Sequence, residues 1–138
     1  AGEGFVGTAA REILWPELAK FELKRELFHV TNVVKCFPSK TKTPTKTIID
    51  KCSKWLSEEI DENRPVVVLA FGNTSLKFFK NQETGITALN GTTEWSVKYE
   101  CWICWCIHPA AVLYEAENKK AFAKGIKNFD RCLTNLGL

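Results

Sequence analysis

The sequence predicts an α/β domain built on a parallel sheet. Three observations predict it. Pro65–Phe71 (PVVVLAF) is an unbroken apolar run, the mark of a strand buried on both faces. Tyr99–Ile107 (YECWICWCI) is a second such run, closed by His108-Pro109. Between and around these runs lie stretches of helical period, giving helix, strand, helix, strand, helix, strand, helix. Right-handed crossovers fold that order onto a parallel sheet.

Taken in order, Thr8 to about Leu27 reads as helix, with Thr8 as its N-cap and Ala9, Ile13, Leu14, Leu18 and Phe21 at helical spacing. Pro16 marks a kink or a break. His29–Cys36 (HVTNVVKC) is rich in β-branched residues and reads as a strand. Phe37–Thr45 is a loop of Pro, Ser, Thr and Lys. Lys46–Glu62 is an amphipathic helix capped by Thr45, with Ile48, Ile49, Cys52, Trp55, Leu56 and Ile60 on its inner face. Gly72 ends the Pro65–Phe71 strand, and Asn73 or Thr74 caps a short helix through Phe79. Asn90-Gly91 is a turn signal within Ile86–Trp95. Glu115–Leu133 is a last helix, basic on its exposed face.

The 138 residues suit one domain, and a hydrophobic content of 45% with nine Phe and five Trp is ample for a core. No apolar run is long enough to cross a membrane, and Ala1–Thr8 lacks the pattern of a secretory signal. An intracellular protein, cytoplasmic or nucleoid, is expected. Six cysteines in a reducing compartment point to thiols or metal ligands rather than disulfides. There is no Met, so either an initiator is removed before Ala1 or the chain is a piece of a longer one. The net charge of +3 is mild, but Lys35, Lys40, Lys42, Lys46 and Lys51 crowd a stretch whose one acid is Asp50. Such a cluster either neutralises phosphates or is a solvated loop.

In open α/β sheets ligands bind beyond the carboxyl ends of the strands. The residues there are Asn32–Cys36, Gly72–Thr74 and His108–Ala111. Around them four pieces occur in order: GEGFVGTAA; VTNVVKC with Pro38 and Pro44-Thr45; VVVLAFGNTSLKFF; and HPAAVL. Together these resemble the iron–sulfur, thermophile-type (family 4) uracil-DNA glycosylases from Gly2 to about Phe129. The resemblance implies a three-layer α/β/α sandwich around a mostly parallel four-stranded sheet. It also implies a DNA-repair enzyme that flips uracil out of DNA and hydrolyses its N-glycosidic bond.

It assigns roles as well. Phe5 matches the ring that stacks on uracil, and Asn32 the amide that reads its pairing edge, offering both a donor and an acceptor. His108 matches the donor to uracil O2, where negative charge gathers as the bond breaks. Cys36 and Cys52, fifteen residues apart, match two of the four ligands of a [4Fe–4S] cluster. The family's first ligand pair is not in this chain. Cys101, Cys104, Cys106 and Cys132 read as core residues. Lys40, Lys42, Pro109 and Leu113 are the DNA-contact candidates. Leu113 is the wedge for the space left by the flipped base, with Val112 and Tyr114 as rivals.

The family's central first strand and its GEAPG-like motif have no counterpart here. Either Glu3 is a remnant of that motif or the motif lies on preceding sequence. A further segment or a partner chain is therefore expected between the His29 and Pro65 strands. A second functional class stays open: a uracil- or DNA-binding domain of a larger replication protein, without chemistry.

Overall fold

A computed structural model describes residues 8–28 and 46–138, the side chains of Arg25 and of residues 46–53 excepted. The predicted strand His29–Cys36, the loop after it and the Thr45 cap lie outside the described residues. What is described is a mixed α/β arrangement, as the sequence predicts.

The N-terminal helical segment carries a π-helical turn, Ala10–Leu14, that runs into α1, Trp15–Ala19. The cause is Pro16. A proline lacks an N–H and crowds the carbonyl four residues back. Here the Trp15 N–H reaches back five residues to the Ala10 carbonyl, the widened turn found at such sites. The helix does not continue to Leu27 as predicted. It ends beyond Ala19, where Glu22 takes a φ of +61°, and Arg25–Leu27 forms one separate 3-10 turn.

Helix α2, Lys46–Asn63, matches its prediction in extent, and Leu56 and Ile60 are buried. Trp55 is a correction. It is 48% exposed, because its position falls roughly 100° from Leu56 around the helix and off the inner stripe. Strand β1, Val67–Phe71, leads into α3, Gly72–Lys80. No side chain caps α3. Asn73 instead accepts the Ile86 N–H at 3.0 Å, at the start of α4, Ile86–Leu89.

After the predicted Asn90-Gly91 turn comes β2, Thr93–Ser96, a strand the sequence did not announce. It pairs antiparallel with β3, Cys101–Cys106, while β1 pairs with β3 in parallel. The order is β1-β3-β2, three strands among the described residues. β1 therefore has one edge without a paired strand among those residues. Val67, Val68 and Leu69 are half-buried rather than enclosed on both faces. The last helices are α5, Ala110–Tyr114, and α6, Lys119–Asn135, joined by a 3-10 turn at Ala116–Asn118.

Helices cover both faces of the sheet. On one, Leu14, Leu18, Phe122, Ile126 and Phe129 pack against Phe71, Cys104 and Cys106. On the other, Leu76 and Ile86 pack against Ala70, Cys101, Ile103 and Trp105, with α2 adding Leu56 and Ile60 over Phe78, Phe79 and Tyr99. The fully buried Trp105 donates its indole N–H to Glu94 at 2.7 Å, so its one polar atom is satisfied. The close seating of α6 depends on Gly125. A Cβ there would run into the Cys106 thiol and stand 3.0 Å from the Asn90 side-chain oxygen.

Candidate active site

Parallel pairing of β1 with β3, in register Phe71 with Cys106, brings their carboxyl ends together. Gly72 and His108 therefore become neighbours. Gly72 has a φ of +75°, and a Cβ on it would stand 3.3 Å from the His108 Cβ. Strand end and histidine touch only because that position is glycine. The Phe71 ring meets the imidazole edge-on at 6.3 Å and stacks on Phe122 behind it.

The imidazole is fixed chemically as well as sterically. The Ala110 N–H donates to His108 Nδ1 at 3.0 Å, inside the tight turn that opens α5. In a neutral ring that leaves the proton on Nε2. Burial of the ring's flank lowers its pKa below the usual 6.5, which favours the same neutral form. In the neutral form favoured by that lowered pKa, His108 carries its proton on Nε2 at the rim of the sheet, where the residue is exposed.

Asn90 holds this rim from behind. It is buried, donates to the Ala121 carbonyl at 2.8 Å and accepts the Ile107 N–H at 2.9 Å. One amide bolts α6 to the residue before His108. The sequence marked Asn90 only as half of a turn. Its flank by Leu89 and the apolar Ile86 hinted at burial, but its partners lie 17 and 31 residues away. Gly125, which lets α6 approach, carried no signal.

The loop after His108 sorts its candidates by exposure. Pro109 is fully buried, so its side chain is not presented at the surface. Val112 is buried in the core. Leu113 is 43% exposed and Tyr114 87%. The Glu115 N–H bonds the Ala111 carbonyl at 3.0 Å and Asn118 Nδ2 reaches the same oxygen at 3.1 Å, so the exposed pair stands on a braced turn.

Phe5, Asn32, Cys36, Lys40 and Lys42 lie outside the described residues, and Cys52 is placed only as a position in α2. Cys101, Cys104 and Cys106 are fully buried core residues, as predicted, and Cys132 packs against the same core. Burial pushes the first three thiols up, away from the thiolate form a cluster needs. Among the described residues no group of three or more His, Cys, Asp or Glu could hold a metal. The described cysteines therefore do not fit an iron–sulfur site. Nor, among the described residues, is any helix long and apolar enough to cross a membrane.

Comparison with known proteins gives one answer. The Uracil DNA glycosylase superfamily matches residues 1–134. The type-4 uracil-DNA glycosylase of Archaeoglobus fulgidus is 32% identical over 91% of this chain and 66% of its own length. That of Sulfurisphaera tokodaii is 30% identical over 91% and 60%, and that of Pyrobaculum aerophilum 29% over 94% and 68%. The chain spans about two thirds of the length of these relatives.

Proposed function

Because the chain belongs to the uracil DNA glycosylase superfamily, and within it to the type-4 branch, we propose that it removes uracil from DNA. Water adds to C1′ of the deoxyribose and sheds one proton, the C1′–N1 bond breaks with its electron pair leaving on uracil, and that anion takes up a proton, giving free uracil and an abasic site. The observation that carries this is the state of His108: Nδ1 occupied by the Ala110 N–H, the pKa lowered by burial. A neutral Nε2–H aimed at O2 stabilises the departing anion without first giving up its proton. Such a donor is worth about 3 kcal/mol in comparable sites.

The other roles follow the family pattern. Phe5 stacks on the flipped base and Asn32 reads its edge, separating uracil from cytosine. Leu113 enters the space that uracil vacates; its exposure, and the burial of Val112, favour it over that rival. Pro109, being buried, acts by shaping the turn rather than by touching DNA. Lys40 and Lys42 take phosphates. Cys36 and Cys52 are two of the four thiolates that would hold the branch's [4Fe–4S] cluster, which braces the fold and enters no chemical step in this scheme. The domain is a three-layer sandwich. In it β1 and β3 belong to a four-stranded, mostly parallel set with the His29–Cys36 strand and the strand the family places at its centre, beside β1, and β2 is an added antiparallel edge. Glycosylase-named relatives along nearly the whole chain favour chemistry over binding alone.

Uracil release from a uracil-containing oligonucleotide tests the proposal. His108→Ala is expected to slow release by roughly 10²-fold or more, the usual effect of removing such a donor. An unchanged rate removes His108 from the mechanism, and no release by the wild-type protein removes the function.

A further inference from the structure

The outward face of α6 carries Lys120, Lys124, Lys127 and Arg131, all exposed and spaced four, three and four residues apart. That spacing sets them in one stripe, opposite the buried Phe122, Ile126 and Phe129. With about 1.5 Å of rise per residue the stripe is roughly 16 Å long. Over that length one strand of B-DNA presents about five phosphates, at about 3.4 Å of axis each.

Four further observations set this stripe apart from an ordinary solvated face. Lys20, Lys77 and Lys80 each pair with a carboxylate, at 3.2, 2.9 and 3.2 Å, whereas none of the four stripe cations joins an ion pair among the described residues. The helix has five cations and one acid, Asp130. Its first turn holds Lys119 and Lys120 and no acid, which sets like charge against the positive end of the helix dipole. An anion lying there relieves that repulsion. The Lys124 stem, finally, is laid along Gly91, where an added Cβ would stand 3.0 Å from Lys124 Cε.

The stripe starts at the site. Asn118 ties the start of α6 to Ala111, and Asn90 ties Ala121 to Ile107, beside His108. From Leu113 and Tyr114 the chain passes the exposed Glu115 and Glu117 before it reaches Lys120, so the stripe begins just beyond that acidic turn. We propose that this face of α6 is a second DNA-backbone surface, which carries the strand away from the His108 rim. It rests on the glycosylase reading only for the identity of the polyanion.

The test is binding of the full-length protein to a fluorescent oligonucleotide without uracil, duplex and single-stranded, titrated with salt. Replacing Lys120, Lys124, Lys127 and Arg131 by Gln should flatten the slope of log affinity against log salt. The expected change is about 0.9 per lost contact on duplex and about 0.7 on a single strand. Lys98→Gln, in the turn before β3 at the far end of the sheet, is the control for net charge. A slope like the wild type's, or a flattening per charge no larger than that of Lys98→Gln, overturns the proposal. Uracil release is scored separately: a flattened slope in a protein that releases no uracil keeps the stripe and discards the glycosylase, and the converse discards the stripe alone.

Discussion

The two rims of the sheet are built differently. At the carboxyl rim, Gly72, Asn90, Ile107, His108 and Ala110 are joined by close backbone approach and by hydrogen bonds of 2.8 to 3.0 Å. At the amino rim, Val66 and Val97 are exposed, and Trp95 leans on Trp102 with ring centroids 5.1 Å apart. Both rims carry directional bonds, the amino rim among them the Trp102 N–H to the Val66 carbonyl at 2.9 Å and the Ser57 and Tyr99 hydroxyls at 2.6 Å. The carboxyl rim, however, is set by a buried side-chain amide, Asn90, that joins helix to strand end. The donor role proposed for His108 requires support of the kind found at the carboxyl rim.

Three substitutions or conditions would break or sharpen that contrast. The largest effect is expected for Asn90→Ala. It strands the Ile107 N–H inside the protein, at about 1–3 kcal/mol for an unsatisfied group, whereas the Ala121 carbonyl keeps its place in the α6 ladder. Denaturant unfolding should show a loss of about 1–3 kcal/mol, and uracil release should fall with it as His108 loses its backing. A loss below about 1 kcal/mol would mean that the Asn90 amide does not set that rim.

The second concerns pH. The folded-state pKa of His108 lies below its unfolded value of 6.5, so the unfolded chain takes up the proton first. The histidine's contribution is thus complete above about 6.5 and is lost as pH falls through the lowered folded value. Wild type should lose more stability than His108→Gln over that interval, as read from thermal unfolding at several pH values. Parallel losses would show that the ring titrates as it does in the unfolded chain. Smallest is Val97→Ser at the amino rim. With Val97 82% exposed, stability should move by no more than about 0.5 kcal/mol, and uracil release not at all.

Much of this was legible from local pattern. The apolar runs announced β1 and β3, helical period announced α2 and α6, and the HPAAVL motif announced His108. β2 was not legible, because TEWS is four residues with three polar ones and becomes a strand through its register with β3. The tautomer of His108 was not legible either, since a backbone N–H two residues on decides it. Asn90 and Gly125 act through contacts distant in sequence, and a glycine inside a helix reads locally as a weakness. Periodicity records which face is buried, whereas the rim is decided by which atoms meet.

The sulfur-lined interior of β3 has one more consequence. Cys101, Cys104 and Cys106 present no surface, and burial pushes their thiols up, so alkylating reagents that consume thiolates meet no target at these three while the sheet is closed. Each sulfur becomes reactive only when the strand that carries it parts from its neighbours. The rate at which the three are modified is therefore a clock for opening of the sheet, written into the strand that ends at His108.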